Sequence, residues 1–121
     1  MARILIVDDS PTEMYKLTEM LEKNGHTVLK AENGANGVAL AVQEKPDAVL
    51  MDIVMPGVNG FQATRQLSKN PETSHIPIII VTTKDQETDK VWGKRQGASD
   101  YLVKPVEEDA LIKVLDGVLK G

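Results

Sequence analysis

The sequence predicts an α/β domain in which a single doubly wound, five-stranded parallel sheet is covered on both faces by five helices. Three observations lead there. Short apolar runs alternate five times with longer amphipathic stretches, the pattern of strands joined by crossover helices. Three of those runs are apolar throughout, as expected for central strands buried on both faces. The 121 residues suffice for one core and fall short of two, with no repeat, low-complexity tract or linker to divide them. One domain spanning residues 1–121, without an effector domain, is therefore expected.

Taken in order, strands are expected at residues 4–7, 27–31, 48–51, 78–82 and 101–103, each bounded by charged, Gly, Asn or Pro residues. The first helix is announced by Ser10-Pro11-Thr12-Glu13, where Ser caps, Pro suits the first turn and Glu stands at the capping-box position. Met14, Leu17 and Leu21 share its apolar face, and Asn24-Gly25 supplies the stop. Val38, Ala41 and Val42 mark a second helix, and Phe61, Thr64 and Leu67 a weaker third. Between Lys84 and Gln96 the pattern nearly vanishes. Val91 and Trp92 are the only large apolar residues there, and Gly93 costs about 1 kcal/mol in a helix interior. The fourth helix is thus expected to be marginal, with Trp92 as a packing anchor. The last helix carries the strongest stripe, Leu111, Val114, Leu115, Val118 and Leu119.

Composition narrows the function classes. Apolar residues make up 41% and charged residues 26%, the balance of a folded domain and not of a disordered chain. A net charge of −4 gives no basic footprint for nucleic acid or anionic lipid. The absence of cysteine excludes disulfides and thiolate metal sites. Met1-Ala2-Arg3 runs straight into Ile4 without room for a secretory signal, and no apolar run approaches the roughly 20 residues that cross a bilayer. Cytoplasmic localisation is the expectation.

In open parallel sheets, ligands bind beyond the carboxyl ends of the strands. Here the first strand ends in Asp8-Asp9, the third in Asp52, the fourth in Thr82-Thr83, and the fifth just before Lys104-Pro105. Right-handed crossovers bring these ends together. Three neighbouring carboxylates repel one another unless some are protonated or a cation intervenes, and oxygen-only ligands point to Mg2+. An ionised carboxylate can attack phosphorus to form an aspartyl phosphate. Lys104 and the metal can neutralise phosphoryl oxygens, and Thr82 can donate a hydroxyl hydrogen bond.

Four segments carry a family resemblance: Ile6-Val7-Asp8-Asp9-Ser10, Leu50-Met51-Asp52-Ile53-Val54-Met55-Pro56-Gly57-Val58-Asn59-Gly60, Val81-Thr82-Thr83, and Asp100-Tyr101-Leu102-Val103-Lys104-Pro105. The chain resembles a response-regulator receiver domain of the CheY-like type from end to end. The resemblance implies a flavodoxin-like strand order of 2-1-3-4-5. It implies Asp52 as phosphoacceptor, direct Mg2+ binding by Asp9, Asp52 and the Val54 backbone carbonyl, and Asp8 acting through water. It also assigns Lys104 to phosphate contact, Thr82 with Tyr101 to the switch, and a cis bond to Lys104-Pro105. The implied partners are a CheA-like histidine kinase as phosphodonor and a downstream protein target or sibling receiver. Pro11-Thr12-Glu13 and the stretch from Lys84 to Gly93 narrow the resemblance to receivers of the chemosensory system controlling type IV pili and twitching motility.

Each feature also has an ordinary structural reading. Asp8-Asp9 would favour any helix N-terminus, Asp52 could belong to a turn, Lys104 to the surface, and Tyr101 to a partly buried anchor. Their coincidence at matching strand ends favours a site. His26 and His75 are assigned to solvent. A Mg2+-dependent phosphohydrolase of small substrates is the enzymatic rival, weakened by Val54 two positions after Asp52, where a second acid is wanted. A flavin-binding domain of similar topology is the other, weakened by acidic chemistry after the first strand.

Overall fold

The computed structural model describes residues 2–120. Its parallel sheet consists of β1 (Arg3–Val7), β2 (Thr27–Ala31), β3 (Ala48–Met51), β4 (Ile78–Thr82) and β5 (Asp100–Val103). The strands lie in the order β2-β1-β3-β4-β5, as the resemblance implied. The helices are α1 (Pro11–Lys23), α2 (Gly34–Glu44), α3 (Gly60–Lys69), α4 (Glu87–Arg95) and α5 (Glu108–Lys120). β1 and β5 each begin one residue earlier than expected, because Arg3 and Asp100 continue the ladders opposite Thr27 and Ile79 despite their charge.

The three continuously apolar strands, β1, β3 and β4, occupy the centre. Alternate residues along each point to opposite faces. Ile4, Ile6, Leu50 and Val81 pack with Leu17 and Leu21 of α1 and with Leu111 and Leu115 of α5. Leu5, Val7, Val49 and Met51 pack with Ala41 of α2 and with Ala63 and Leu67 of α3. Each fully buried Leu or Ile contributes about 1.5–3 kcal/mol.

Local chemistry sets the helix ends. Ser10 caps α1 by accepting from the Glu13 amide, but Glu13 does not complete a capping box: the Ser10 amide donates instead to Asp8 Oδ1 at 2.9 Å. At the other end, the Gly25 amide donates to the Glu22 carbonyl and the His26 amide to that of Leu21, with Gly25 at φ +85°, a Schellman termination. His26 corrects the solvent assignment. It is partly buried and its Nδ1 accepts from the Ala2 amide at 3.1 Å, so its ring ties the chain start to the α1–β2 turn. His75 is exposed as expected. In α2 the inward face is built less from Val38 and Val42, which are half-buried, than from Gly34, Gly37 and Ala41. A Cβ on Gly37 would stand 2.7 Å from Val7 Cγ2, so the helix can lie this close to β1 only with glycine there.

The fourth helix differs most from the sequence expectation. Trp92 is 49% exposed and Val91 47%, so neither anchors α4. The helix buries Gly93, where an added Cβ would come within 2.7 Å of Ile80 Cδ1. The glycine that weakens the isolated helix is what lets it approach the sheet, leaving the large side chains outside. Amides of α4 should therefore exchange with deuterium about tenfold faster than those of α5, roughly 1.4 kcal/mol less opening free energy. Equal protection of the two helices in a hydrogen-exchange time course would contradict this.

Candidate functional site

The carboxyl ends of β1, β3 and β5 deliver the acidic and basic groups to one place. Asp52 follows β3 directly, held by its amide, which donates to the Val7 carbonyl at 3.0 Å. The Asp8 amide donates to the Ala31 carbonyl at 3.1 Å, and the Lys104 amide to the Thr82 carbonyl at 2.8 Å. Carboxylate oxygens of Asp8, Asp9 and Asp52 all lie within 4.8 Å of one another. Asp8 and Asp52 are buried and Asp9 is exposed. Lys104 Nζ bridges the buried pair, donating to Asp8 Oδ2 at 2.7 Å and to Asp52 Oδ2 at 3.3 Å. The ammonium is thus held more closely by Asp8 than by Asp52. Asp52 Oδ1 accepts from the Val54 amide at 3.3 Å, which folds the chain back over the carboxylate and leaves the Val54 side chain half-exposed beside it.

Electrostatics leave this cluster short of positive charge. Burial lifts the Asp8 carboxyl above its usual range, against the opposing pull of its bonds from Lys104 and the Ser10 amide; the charge of Asp52 adds to the rise. Burial works against the Lys104 ammonium, yet the bond to Asp8 and the charge of Asp52 outweigh it and hold the lysine charged. Both partners of the ion pair are therefore pushed up. One ammonium, bonded to two of the three carboxylates, leaves excess negative charge that a further cation could offset. The donor set is all oxygen and partly open to solvent through Asp9. That chemistry fits a hard divalent ion that keeps several waters, as Mg2+ does.

Thr82 is fully buried at the end of β4, and its hydroxyl has no hydrogen-bond partner among the described residues. An unmatched buried hydroxyl costs about 1–3 kcal/mol. Thr83, beside it, is exposed. Tyr101 on β5 is buried, and its hydroxyl donates to the Lys84 carbonyl at 2.8 Å in the loop before α4. It thus ties the β4–α4 loop to β5, a contact that no spacing in the sequence announces. The Lys104-Pro105 peptide is cis.

Burial, with the charges of Asp89, Asp52 and Asp85, pushes the Tyr101 hydroxyl up to about 12 from its ordinary 10.0. A folded-state value above the unfolded one favours the native state below pH 10, and the benefit is lost as pH rises towards 12. Alkaline titration of tyrosinate absorbance should therefore show an ionisation step at about pH 12 that Tyr101→Phe removes. Ionisation of both tyrosines near pH 10 would contradict it.

Gly60 is a residue of the site that sequence reasoning passed over, although it closes the quoted β3 segment. It opens α3 directly against the Asp52 main chain, where any Cβ would collide with the Asp52 carbonyl oxygen. Asn59 caps that helix reciprocally with Gln62, so the loop carrying Asp52 is fixed at both ends.

This geometry agrees with a family comparison: the model of the response regulator receiver domain matches residues 4–116. The chain belongs to the response regulator receiver family. It is 80% identical over 121 residues, the full length of both chains, to Protein PilH of Pseudomonas aeruginosa. Among solved structures, it superposes on the chemotaxis protein CheY4 of Vibrio cholerae with a TM-score of 0.91 at 31% identity, covering 98% of each chain. The receiver domain of the sensor histidine kinase PA1611 from Pseudomonas aeruginosa aligns with a TM-score of 0.92 at 29% identity, covering 99% of this chain and 98% of that one; that structure has magnesium coordinated in its active-site cleft. Receivers are signalling modules, so the small-substrate phosphohydrolase and flavin readings give way to phosphorelay signalling. No helix among the described residues is long and apolar enough to cross a membrane.

Proposed function

We propose that Asp52 accepts a phosphoryl group from a phosphohistidine of a CheA-like histidine kinase, and that the resulting change reaches the β4–α4 surface through Thr82 and Tyr101. The observation that carries this reading is the convergence of Asp8, Asp9 and Asp52 within 4.8 Å of one another, with the Lys104 ammonium between Asp8 and Asp52. In the transfer, a carboxylate oxygen of Asp52 forms a bond to phosphorus while the phosphorus–nitrogen bond of the donor imidazole breaks, its electron pair returning to the ring. Lys104 keeps its proton and offsets the negative charge that accumulates on the phosphoryl oxygens. The unpartnered Thr82 hydroxyl supplies a donor that such an oxygen would satisfy. Asp9, Asp52 and the Val54 carbonyl would hold Mg2+ directly, with Asp8 acting through water. When bound, the ion neutralises donor and acceptor charge and makes the in-line approach of two anions possible.

Movement of Thr82 towards a phosphoryl oxygen would shift the end of β4 beside β5, where the Tyr101 hydroxyl holds the Lys84 carbonyl. The β4–α4 loop and weakly anchored α4 are the elements least costly to shift. A downstream protein, or a sibling receiver competing for the same phosphoryl groups, would read the result. Likeness to PilH over the full length, with the local likeness around Pro11 and Lys84, supports a place in control of type IV pilus twitching motility.

Incubation with a radiolabelled phosphorylated kinase tests the chemistry. Label is expected to move to the chain in Mg2+ and to stay on the kinase when EDTA removes the ion. Transfer at the same rate in EDTA would remove the metal from the proposal.

A further inference from the structure

Recesses among the described residues flank α1 and β2, and their charges differ. On the flank of α1 towards α5, Lys16 and Lys23 stand against Glu19 and Glu108, with Lys23 Nζ 3.5 Å from Glu108. Beside α2, Lys30 faces Glu32 among small and amide side chains. Neither favours one sign of partner. Between α1 and the edge strand β2 lies a groove of about 500 Å³ whose lining combines an apolar floor with a one-signed rim. Met14 and Thr18, both buried, form the floor, with the exposed Pro11 at its edge. Asp9, Glu19, Glu22 and Glu32 stand around it against a single cation, Lys30. None of those four carboxylates takes part in a salt bridge among the described residues.

Tyr15 borders the same groove. It is the exposed large hydrophobic side chain of α1, at 65%, and its hydroxyl donates to Glu19 Oε2 at 3.2 Å. That bond steadies the ring beside the rim. An aromatic face next to carboxylates attracts a guanidinium or ammonium by its quadrupole as well as by charge. An anionic partner, whether nucleic acid or lipid headgroup, would meet repulsion here.

We propose that the groove between α1 and β2 docks a basic segment of a partner protein, which places Lys or Arg side chains against Tyr15 and the glutamates and an apolar side chain on the Met14 floor. The apolar surface at Met14 favours a peptide over a small polycation. Complementary charge along the rim sets the orientation and speeds encounter, and the apolar contact adds affinity that charge alone does not supply. The proposal does not depend on phosphoryl transfer: Tyr15, Glu19, Glu22, Lys30 and Glu32 lie outside the acidic cluster, which meets the groove at Asp8 and Asp9.

Amide NMR of the isotopically labelled full chain, titrated with a short synthetic peptide alternating Arg and Leu, tests it. Shifts are expected at Tyr15, Glu19, Glu22, Lys30 and Glu32, with those of α4 unmoved. Replacing Glu19, Glu22 and Glu32 together by Gln should weaken binding about tenfold, and Lys30→Glu should strengthen it. The opposite sign of the second variant separates a docking effect from a loss of fold. Shifts centred elsewhere, affinity unchanged in the triple variant, or equal binding of an oligolysine or of spermidine would overturn the proposal.

Discussion

Asp52→Asn is expected to lose phosphoryl uptake by about a thousandfold or more, roughly 4 kcal/mol of transition-state stabilisation. The substitution keeps the size of the side chain and an oxygen able to accept from the Val54 amide, which reaches Asp52 Oδ1 at 3.3 Å. What disappears is the anionic oxygen proposed to form the bond to phosphorus. An amide oxygen is a poor nucleophile, and the neighbouring buried carboxylate does not replace it: Asp8 is held by Lys104 at 2.7 Å and by the Ser10 amide at 2.9 Å. The variant should remain folded, because removing one charge from a buried group of carboxylates relieves repulsion. Intact-mass measurement after incubation with phosphorylated kinase is expected to show one added phosphoryl group on the parent chain and none on the variant. In a strain lacking this protein, the parent gene should restore normal twitching and the variant gene should not. Uptake that persists in the variant would place the acceptor elsewhere.

Gly60→Ala should destabilise the fold by about 3 kcal/mol, at the upper end of what overpacking costs. Propensity alone predicts the opposite sign, since alanine is better in a helix than glycine by roughly 0.5–1 kcal/mol. Contact decides the matter. The new Cβ would lie 2.7 Å from both the Asp52 carbonyl carbon and Ile53 Cα, and closer still to the Asp52 carbonyl oxygen. These are backbone atoms, so relief requires moving the loop that carries Asp52. Phosphoryl uptake should therefore fall together with stability. Gly117 of α5 supplies the contrast, because a Cβ there meets nothing within 4 Å and Gly117→Ala should be neutral or stabilising. Urea denaturation of the two variants measures both effects. A loss below about 0.5 kcal/mol for Gly60→Ala would show that α3 retreats without cost.

The placement of the acidic residues was legible because it depends on strand ends, and strand ends are local. Asp8, Asp9 and Asp52 each follow an apolar run directly, and parallel crossovers allow few arrangements of such runs. Lys104 was legible as a cation at the same edge, but its closer pairing with Asp8 than with Asp52 was not. That preference depends on side-chain reach across β1 and β3, neighbours in space whose sequence positions do not encode a distance. Trp92 was misjudged for a related reason. Size suggests an anchor, whereas the tight approach of α4 to Ile80 and Tyr101 admits a glycine and turns the tryptophan outward.

By itself the sequence determined the order and type of the ten elements, the burial of β1, β3 and β4, and the cap and stop of α1. Periodicity, turn residues and capping act within a few residues of themselves. Only the tertiary structure decided that His26 binds the Ala2 amide, and that Gly37, Gly60 and Gly93 are points of closest approach. Each of those outcomes is a competition between groups distant in the chain or between side chain and main chain. Packing settles such competitions, because a buried donor or a colliding Cβ costs more than any local preference returns.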